Sequence, residues 1–275
     1  MISGSSYSAK RAPRAKKSLG QNFLVDHRVL EKIIGAADLS LDDTVLEIGP
    51  GRGFLTKALL ERAGRVVAIE MDRELIDRLG EKFADFPNVE FVEGDGREVD
   101  FEALVGTDVP YKVVANLPYY AATPIVRRFL EATHKPSVLV VMLQREVARE
   151  MTAQPGKMGI LSVATQVYGK PRIVTSVPPR AFRPSPNVSS AVVRIDVYDE
   201  PAVSFDTPDG FFKVVKAGFS APRKQIHNNL KRGLDLDSET VSTLLSSADV
   251  DPTRRAQTLS IDEWGQLYHR YVSIS

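Results

Sequence analysis

Apolar residues run along this chain in two rhythms. Between residues 44 and 153, short β-branched runs alternate with stretches whose apolar positions repeat every three or four residues. The runs TVLEIG (44–49), RVVAIE (65–70), VEFVEGD (89–95), YKVVAN (111–116) and SVLVVMLQ (137–144) predict strands. The stretches FLTKALLERA (54–63), RELIDRLGEKF (73–83), TPIVRRFLEAT (123–133) and REVAREMTA (145–153) predict helices. An earlier helix is expected over 26–37, where Val29, Leu30, Ile33 and Ile34 share one face and Asp26 suits the N-cap. Strands alternating with helices predict an α/β fold, a mostly parallel sheet covered on both faces. Such sheets bind ligands beyond the C-terminal ends of their strands, at the point where the strand order reverses.

The rhythm then changes. RIVTSV (172–177) and SAVVRIDVY (190–198) predict two strands joined by PPRAFRPSPNVS (178–189), a loop with four prolines. They suggest an antiparallel pair that closes the sheet. After DEPAVSFDTPDG (199–210) the pattern is helical, with helices expected over 209–219, 223–233, 238–247 and 261–271. The expected division is a flexible basic tail (1–15), an α/β domain (16–200) and a small all-α domain (201–275).

Composition narrows the chemistry. The chain has 275 residues, 43% of them hydrophobic, enough for one large or two smaller cores. Without a cysteine there is no disulfide, thiol nucleophile or cysteine-type metal site, and four scattered histidines do not suggest a metal cage. No metal is expected. No apolar run reaches the ~18 residues of a membrane span, and no secretory leader is evident. The net charge of +1 says little, but its distribution says more. Residues 1–17 hold five Lys and Arg, including Lys16 and Lys17, and no acid. Residues 211–234 hold six, including Arg223, Lys224 and Lys231, again with no acid. Two such clusters suit a polyanion, although a solvated tail and a solvated helix face would read the same way.

Four successive strand ends carry candidate chemistry. The first leads into Gly49-Pro50-Gly51-Arg52-Gly53, where glycines let backbone approach a ligand. Glu70 ends the next strand, placed to hold ribose hydroxyls, and Asp95 ends the third, placed to accept from an adenine amine. This suits an adenosine-containing cofactor, either a nicotinamide dinucleotide or S-adenosyl-L-methionine. The spacing G-x-G-x-G lacks the third, helix-packing glycine of the dinucleotide pattern, and Pro50 removes an amide that would cradle phosphate, so the sulfonium cofactor is favoured. At the fourth strand end stands Asn116-Leu117-Pro118-Tyr119-Tyr120. The Asn116 side-chain oxygen and the Leu117 carbonyl can accept from an exocyclic amine and aim its lone pair at a methyl group. Pro118 stiffens the turn, and Tyr119 offers a face to an unstacked base. Tyr120 is expected only to pack.

With these residues in place, the sequence resembles the S-adenosylmethionine-dependent ribosomal RNA adenine N6-dimethyltransferases, most closely the branch acting on small-subunit 16S rRNA. KKSLGQNFL (16–24), LEIGPGRGFLT (46–56), the Asn116–Tyr119 stretch, PPRAFRPSPNVSSAVVR (178–194) and RRAQTLSIDEWGQLY (254–268) carry the likeness from about Lys16 to Tyr271. It implies a Rossmann-like methyltransferase domain with a seven-stranded, mostly parallel sheet and a small helical RNA-binding domain. It implies cofactor contacts from Gln21, Asn22, Leu24, Gly49, Gly51, Glu70, Met71, Asp95, Gly96 and Asn116. It also implies that Phe182 packs on the target adenine opposite Tyr119, and that Lys16, Lys17, Arg183, Arg223, Lys224 and Lys231 contact RNA. The implied activity is dimethylation of two adjacent adenosines in the 3′-terminal hairpin of 16S rRNA in a pre-30S particle. A cytoplasmic monomer is expected. The rivals are the 23S rRNA branch, a nicotinamide-dependent oxidoreductase and a non-catalytic assembly factor. The sequence departs from the family pattern at Arg52, Phe54, Gly96 and Pro222.

Overall fold

The structure is a computed structural model that describes residues 21–274. The expected basic tail and the candidate RNA contacts Lys16 and Lys17 lie outside the described residues.

The described chain opens with the two-residue strand β1 (Phe23–Leu24) and helix α1 (His27–Ala37). Asp26 caps α1, its carboxylate accepting from the Arg28 and Val29 amides. The alternation follows as β2 (Thr44–Ile48), α2 (Phe54–Leu60), β3 (Arg65–Glu70), α3 (Arg73–Lys82), β4 (Val89–Glu93), α4 (Phe101–Val105), β5 (Tyr111–Asn116), α5 (Ala122–Glu131), β6 (Val138–Gln144) and α6 (Arg145–Met151). Then come α7 (Ile160–Gln166), β7 (Gly169–Val177), β8 (Phe182–Arg183) and β9 (Ser190–Val197). Helices α8 (Pro208–Gly218), α9 (Ile226–Gly233), α10 (Ser238–Ser247) and α11 (Ile261–Val272) finish the chain.

Seven strands form one sheet in the order β4-β3-β2-β5-β6-β9-β7. The pairs from β4 to β6 are parallel, and β9 joins β6 and β7 antiparallel, which is the closing pair the sequence suggests. The order reverses between β2 and β5, so their carboxyl ends diverge and leave a crevice.

The strands are buried on both faces, which accounts for their unbroken apolar runs. Leu46, Val113, Leu139 and Val193 point into one hydrophobic cluster, while Val45, Val114, Val140 and Val192 point into another on the opposite face. The second cluster takes α1, α2 and α3. The first takes α4 to α7 and continues through Phe211, Leu230, Leu244 and Trp264 of the C-terminal helices. Buried residues on both sides of residue 200 thus belong to one cluster. Backbone bonds also cross it: the Ala202 amide donates to the Val167 carbonyl (2.8 Å) and the Gly156 amide to that of Gln257 (2.8 Å).

Two helices go beyond the sequence pattern. α4 has five residues, capped by Asp100, and α7 has seven, too short for a helical period to stand out. α7 is held by burial of Ser162, Val163 and Thr165, with the Ser162 hydroxyl donating to the Glu150 carbonyl at 2.6 Å. Helix α9 begins three residues later than expected, because Pro222 and a turn closed by the Lys224 amide on the Ala221 carbonyl precede it.

Candidate active site

One cleft beyond the carboxyl ends of β2 to β5 gathers the candidate residues of all four strand ends.

The glycine loop forms its first wall. Gly49, Gly51 and Gly53 have φ of 73°, 58° and 74°, the left-handed region. A β-carbon on Gly51 would lie 2.9 Å from the Phe23 ring, and one on Gly53 would lie 2.5 Å from the Phe83 ring. Gly53 thus lets the loop pack on the end of α3. The Gly53 amide closes the turn on the Pro50 carbonyl at 2.9 Å.

Glu70 stands at the end of β3, buried, and accepts from the backbone amides of Gly51 (3.1 Å), Met71 (3.0 Å) and Asp72 (3.1 Å). Three of the roughly four acceptor sites of a carboxylate are thereby taken. Glu70 ties the glycine loop to β3 and keeps limited capacity for a ribose hydroxyl. Burial raises its pKa, the three amides work against that, and Asp72 adds to the rise. Asp95 also lines the cleft, but its carboxylate is gripped by the Arg97 guanidinium, with Nε 3.0 Å from each oxygen. This pairing lowers the Asp95 pKa. Met71 and Gly96 line the cleft beside them.

The N-terminal segment lies across the glycine loop because β1 pairs antiparallel with β8, Leu24 opposite Phe182 and Phe23 opposite Arg183. The Gln21 side chain donates to Asp72 Oδ2 at 3.2 Å, and the Asn22 carbonyl accepts from Asn116 Nδ2 at 3.2 Å. Leu24 lies beside this cleft, in a groove along Gly49, Gly51 and Asn116. Neighbouring residues of a strand point to opposite sides, so Leu24 enters the core under α1 while Phe23 faces the loop. Phe23 is the residue that sequence reasoning missed; its signal was the aromatic in QNFL.

At the far end of the cleft the turn after β5 is fixed by two bonds. The Leu117 amide donates to the Met142 carbonyl (3.1 Å) and the Ala121 amide to that of Pro118 (3.0 Å). The bond to Asn22 commits the Asn116 amide nitrogen, leaving its oxygen as an acceptor. Tyr119 is half-buried, its hydroxyl 2.6 Å from Ser190 Oγ at the start of β9, and burial raises its pKa. Phe182 lines the same cleft but is fully buried. It packs in the same buried cluster as Leu24, its partner in the β1–β8 pair. Tyr120, expected to pack, is instead 51% exposed at the cleft's rim. Of the expected RNA contacts, Arg183, Arg223, Lys224 and Lys231 are exposed. Among the described residues no group of three or more His, Asp or Glu is placed to hold a metal, and no helix is long and apolar enough to cross a membrane.

The sequence family described as ribosomal RNA adenine dimethylase matches residues 12–272. The chain belongs to this family. Its activity is S-adenosylmethionine-dependent dimethylation of adenine in ribosomal RNA. Among the similar proteins is ribosomal RNA small subunit methyltransferase A of Dehalococcoides mccartyi (strain CBDB1), 46% identical over 94% of this chain and 89% of that one. The protein of the same name from Alkaliphilus metalliredigens (strain QYMF) is 46% identical over 92% of this chain and 91% of its own length. Among solved structures, a dimethyladenosine transferase from Plasmodium falciparum superposes with a TM-score of 0.81 at 25% identity, covering 91% of this chain and 98% of that one. The 23S rRNA methyltransferase ErmE superposes with a TM-score of 0.74 at 30% identity, covering 90% and 99%.

The departures from the dimethylase pattern have local partners. The Arg52 guanidinium lies 4.4 Å from the centroid of the Phe23 ring, and Phe54 meets His27 edge-on at 4.9 Å. A β-carbon on Gly96 would approach Ile48 to 2.7 Å, so the isoleucine fills the space an alanine would take. Pro222 precedes α9, which starts at Ile226.

Proposed function

We propose that this enzyme transfers methyl groups from S-adenosyl-L-methionine to N6 of two adjacent adenosines in the 3′-terminal hairpin of 16S rRNA, within a pre-30S particle in the cytoplasm, and acts as a monomer. The observation that carries the reading is the Asn116–Tyr119 turn, held rigid at the end of a cleft whose other end is a glycine loop and two strand-end acids. The small-subunit relatives, at 46% identity, favour 16S over 23S RNA as substrate.

The cleft's residues fit the cofactor. Gly49 and Gly51 present backbone without side chains, Glu70 and Asp95 offer carboxylate oxygens at successive strand ends, and the Gly51 and Gly53 amides, which would otherwise cradle a phosphate, already donate to Glu70 and the Pro50 carbonyl. Gln21, Asn22, Phe23 and Met71 would close around it, and it would supply an electrophilic methyl group. The protein's part is mainly alignment. The Asn116 oxygen and the Leu117 carbonyl would accept from the adenine amine and turn its lone pair out of the ring. Pro118 and the two backbone bonds hold these acceptors in place before the substrate arrives. Tyr119, tethered to Ser190, would take the face of the base. Phe182, at the base of the same cleft, would lie on the far side of the base from Tyr119. No strong general base is needed, because an alkylated amine loses its extra proton readily.

The test is methylation of 30S particles that lack the modification, followed by mapping of the labelled adenosines. Label in the 3′-terminal hairpin is expected; label on 23S RNA instead overturns the substrate. Asn116→Ala is expected to lower turnover by about 100-fold or more while calorimetric titration shows cofactor affinity largely kept. Near-normal turnover in that variant overturns the catalytic assignment.

A further inference from the structure

Tyr120 and Arg97 form a pair at the mouth of the cleft that the reaction described above does not use. Tyr120 follows the tethered Tyr119, yet its ring is half-exposed. The Arg97 guanidinium lies 5.4 Å from the Tyr120 ring centroid, within reach of a cation–π contact. Arg97 comes from the β4 side of the mouth and Tyr120 from the β5 side, so the pair bridges the rim. Asp95 grips Arg97 through both carboxylate oxygens, which fixes the plane of the guanidinium and balances its charge. What is presented to solvent is a flat, nearly neutral surface. That suits a nucleobase face better than a phosphate, which would call for free positive charge.

We propose that Tyr120, backed by Arg97, is a stacking platform for the nucleotide next to the target adenosine. The proposal rests on the reading that this cleft methylates RNA. An adenine taken out of its stack leaves its chain neighbour without a partner on one side. Two rings on successive residues then serve two bases. Tyr119 faces into the cleft for the target, and Tyr120 faces outward for the neighbour. The turn holding both is closed by the Ala121 amide on the Pro118 carbonyl, so their relative placement is set by the fold. Single-stranded and looped RNA is commonly read through such exposed aromatic and guanidinium planes.

The test uses the intact enzyme with Tyr120→Ala, Tyr120→Leu and Tyr120→Trp. Steady-state methylation of unmodified 30S particles gives KM and kcat, anisotropy gives affinity for the unmodified hairpin with S-adenosylhomocysteine present, and calorimetry gives cofactor affinity. Tyr120→Ala and Tyr120→Leu are expected to raise the KM for particles and weaken hairpin binding about tenfold. Cofactor affinity and kcat at saturating RNA stay unchanged, and Tyr120→Trp behaves as the parent. Unchanged KM and hairpin affinity in the alanine variant overturn the proposal. So does a loss of cofactor affinity that matches the loss of activity, which would assign the pair to covering the cofactor's adenine. A parent enzyme that leaves 30S particles unlabelled defeats the functional reading instead, and the hairpin measurement then stands alone to decide the platform.

Discussion

Glu47 is the residue where the cleft and the stability of the fold meet. It sits in β2 just before the glycine loop, 1% exposed, with one carboxylate oxygen lacking a hydrogen-bond partner among the described residues. Burial, reinforced by the nearby Glu70, pushes its pKa to about 8. The folded state therefore keeps a proton that the unfolded chain releases above its ordinary carboxylate range. Stability falls as pH rises between the two values. Glu47→Gln removes this dependence, so the variant's Tm should draw level with the parent near pH 5 and exceed it increasingly toward pH 8. Each kcal/mol gained is worth about 2–4 °C. Thermal melts of both proteins across that range check it, and a gap that does not change with pH would place the ionised form of Glu47 in the fold. Nothing in TVLEIG marks this glutamate as different from Glu70: both are acids at strand ends. Only burial separates them, Glu70 meeting three amides and Glu47 a largely apolar interior.

At the scale of elements, the two-residue pair β1–β8 has the largest effect for its size. It draws the N-terminal segment over the glycine loop, sets Phe23 on Gly51 and hides Phe182. Gly51→Ala would require φ of +58° from a residue with a side chain, and would press a methyl into the Phe23 ring. Backbone strain of about 1–3 kcal/mol is expected, with cofactor affinity in calorimetry falling about tenfold as the segment is pushed off the loop. Gly35→Ala is the control: it lies exposed in α1 at negative φ with no atom in its way, and helix propensity should raise stability by roughly 0.5–1 kcal/mol. Equal effects at the two positions would mean that the loop tolerates side chains and that Phe23 does not depend on Gly51.

At the scale of the molecule, the helical region is not an appendage. Phe211 of α8 is fully buried, stacked on Phe205 at 5.2 Å between centroids and edge-on to Tyr268, and the cluster it belongs to runs back to β5 and β6. A core shared in this way should unfold as one unit. Phe211→Ala should cost about 3–5 kcal/mol and lower a single calorimetric transition, with sheet and helix signals melting together. Two separated transitions, with only the later one moved, would instead make residue 201 onward an independent domain. The shared core also fixes the basic exposed residues Arg223, Lys224 and Lys231 relative to the cleft, as an RNA substrate held at both would require.

The strands, their alternation with helices, the antiparallel closure and the placement of Gly49, Glu70, Asp95 and Asn116 on one edge were legible in the sequence, because each follows from local periodicity and the fixed logic of a parallel sheet. The Asn116–Tyr119 stretch was legible for the same reason, since a strand end with an amide and a proline can be located by counting strands. Tertiary structure decided what local pattern cannot express. The short helices α4 and α7 exist because neighbours bury them. Phe23 faces the glycine loop because a two-residue strand pairs with one 158 residues later. Tyr120 meets Arg97 at the rim because the distant ends of β4 and β5 come to lie on either side of the cleft mouth. Contacts of high sequence separation, and the burial they impose, leave no period in the chain, and in this protein they set which cleft residues are covered and which face the solvent.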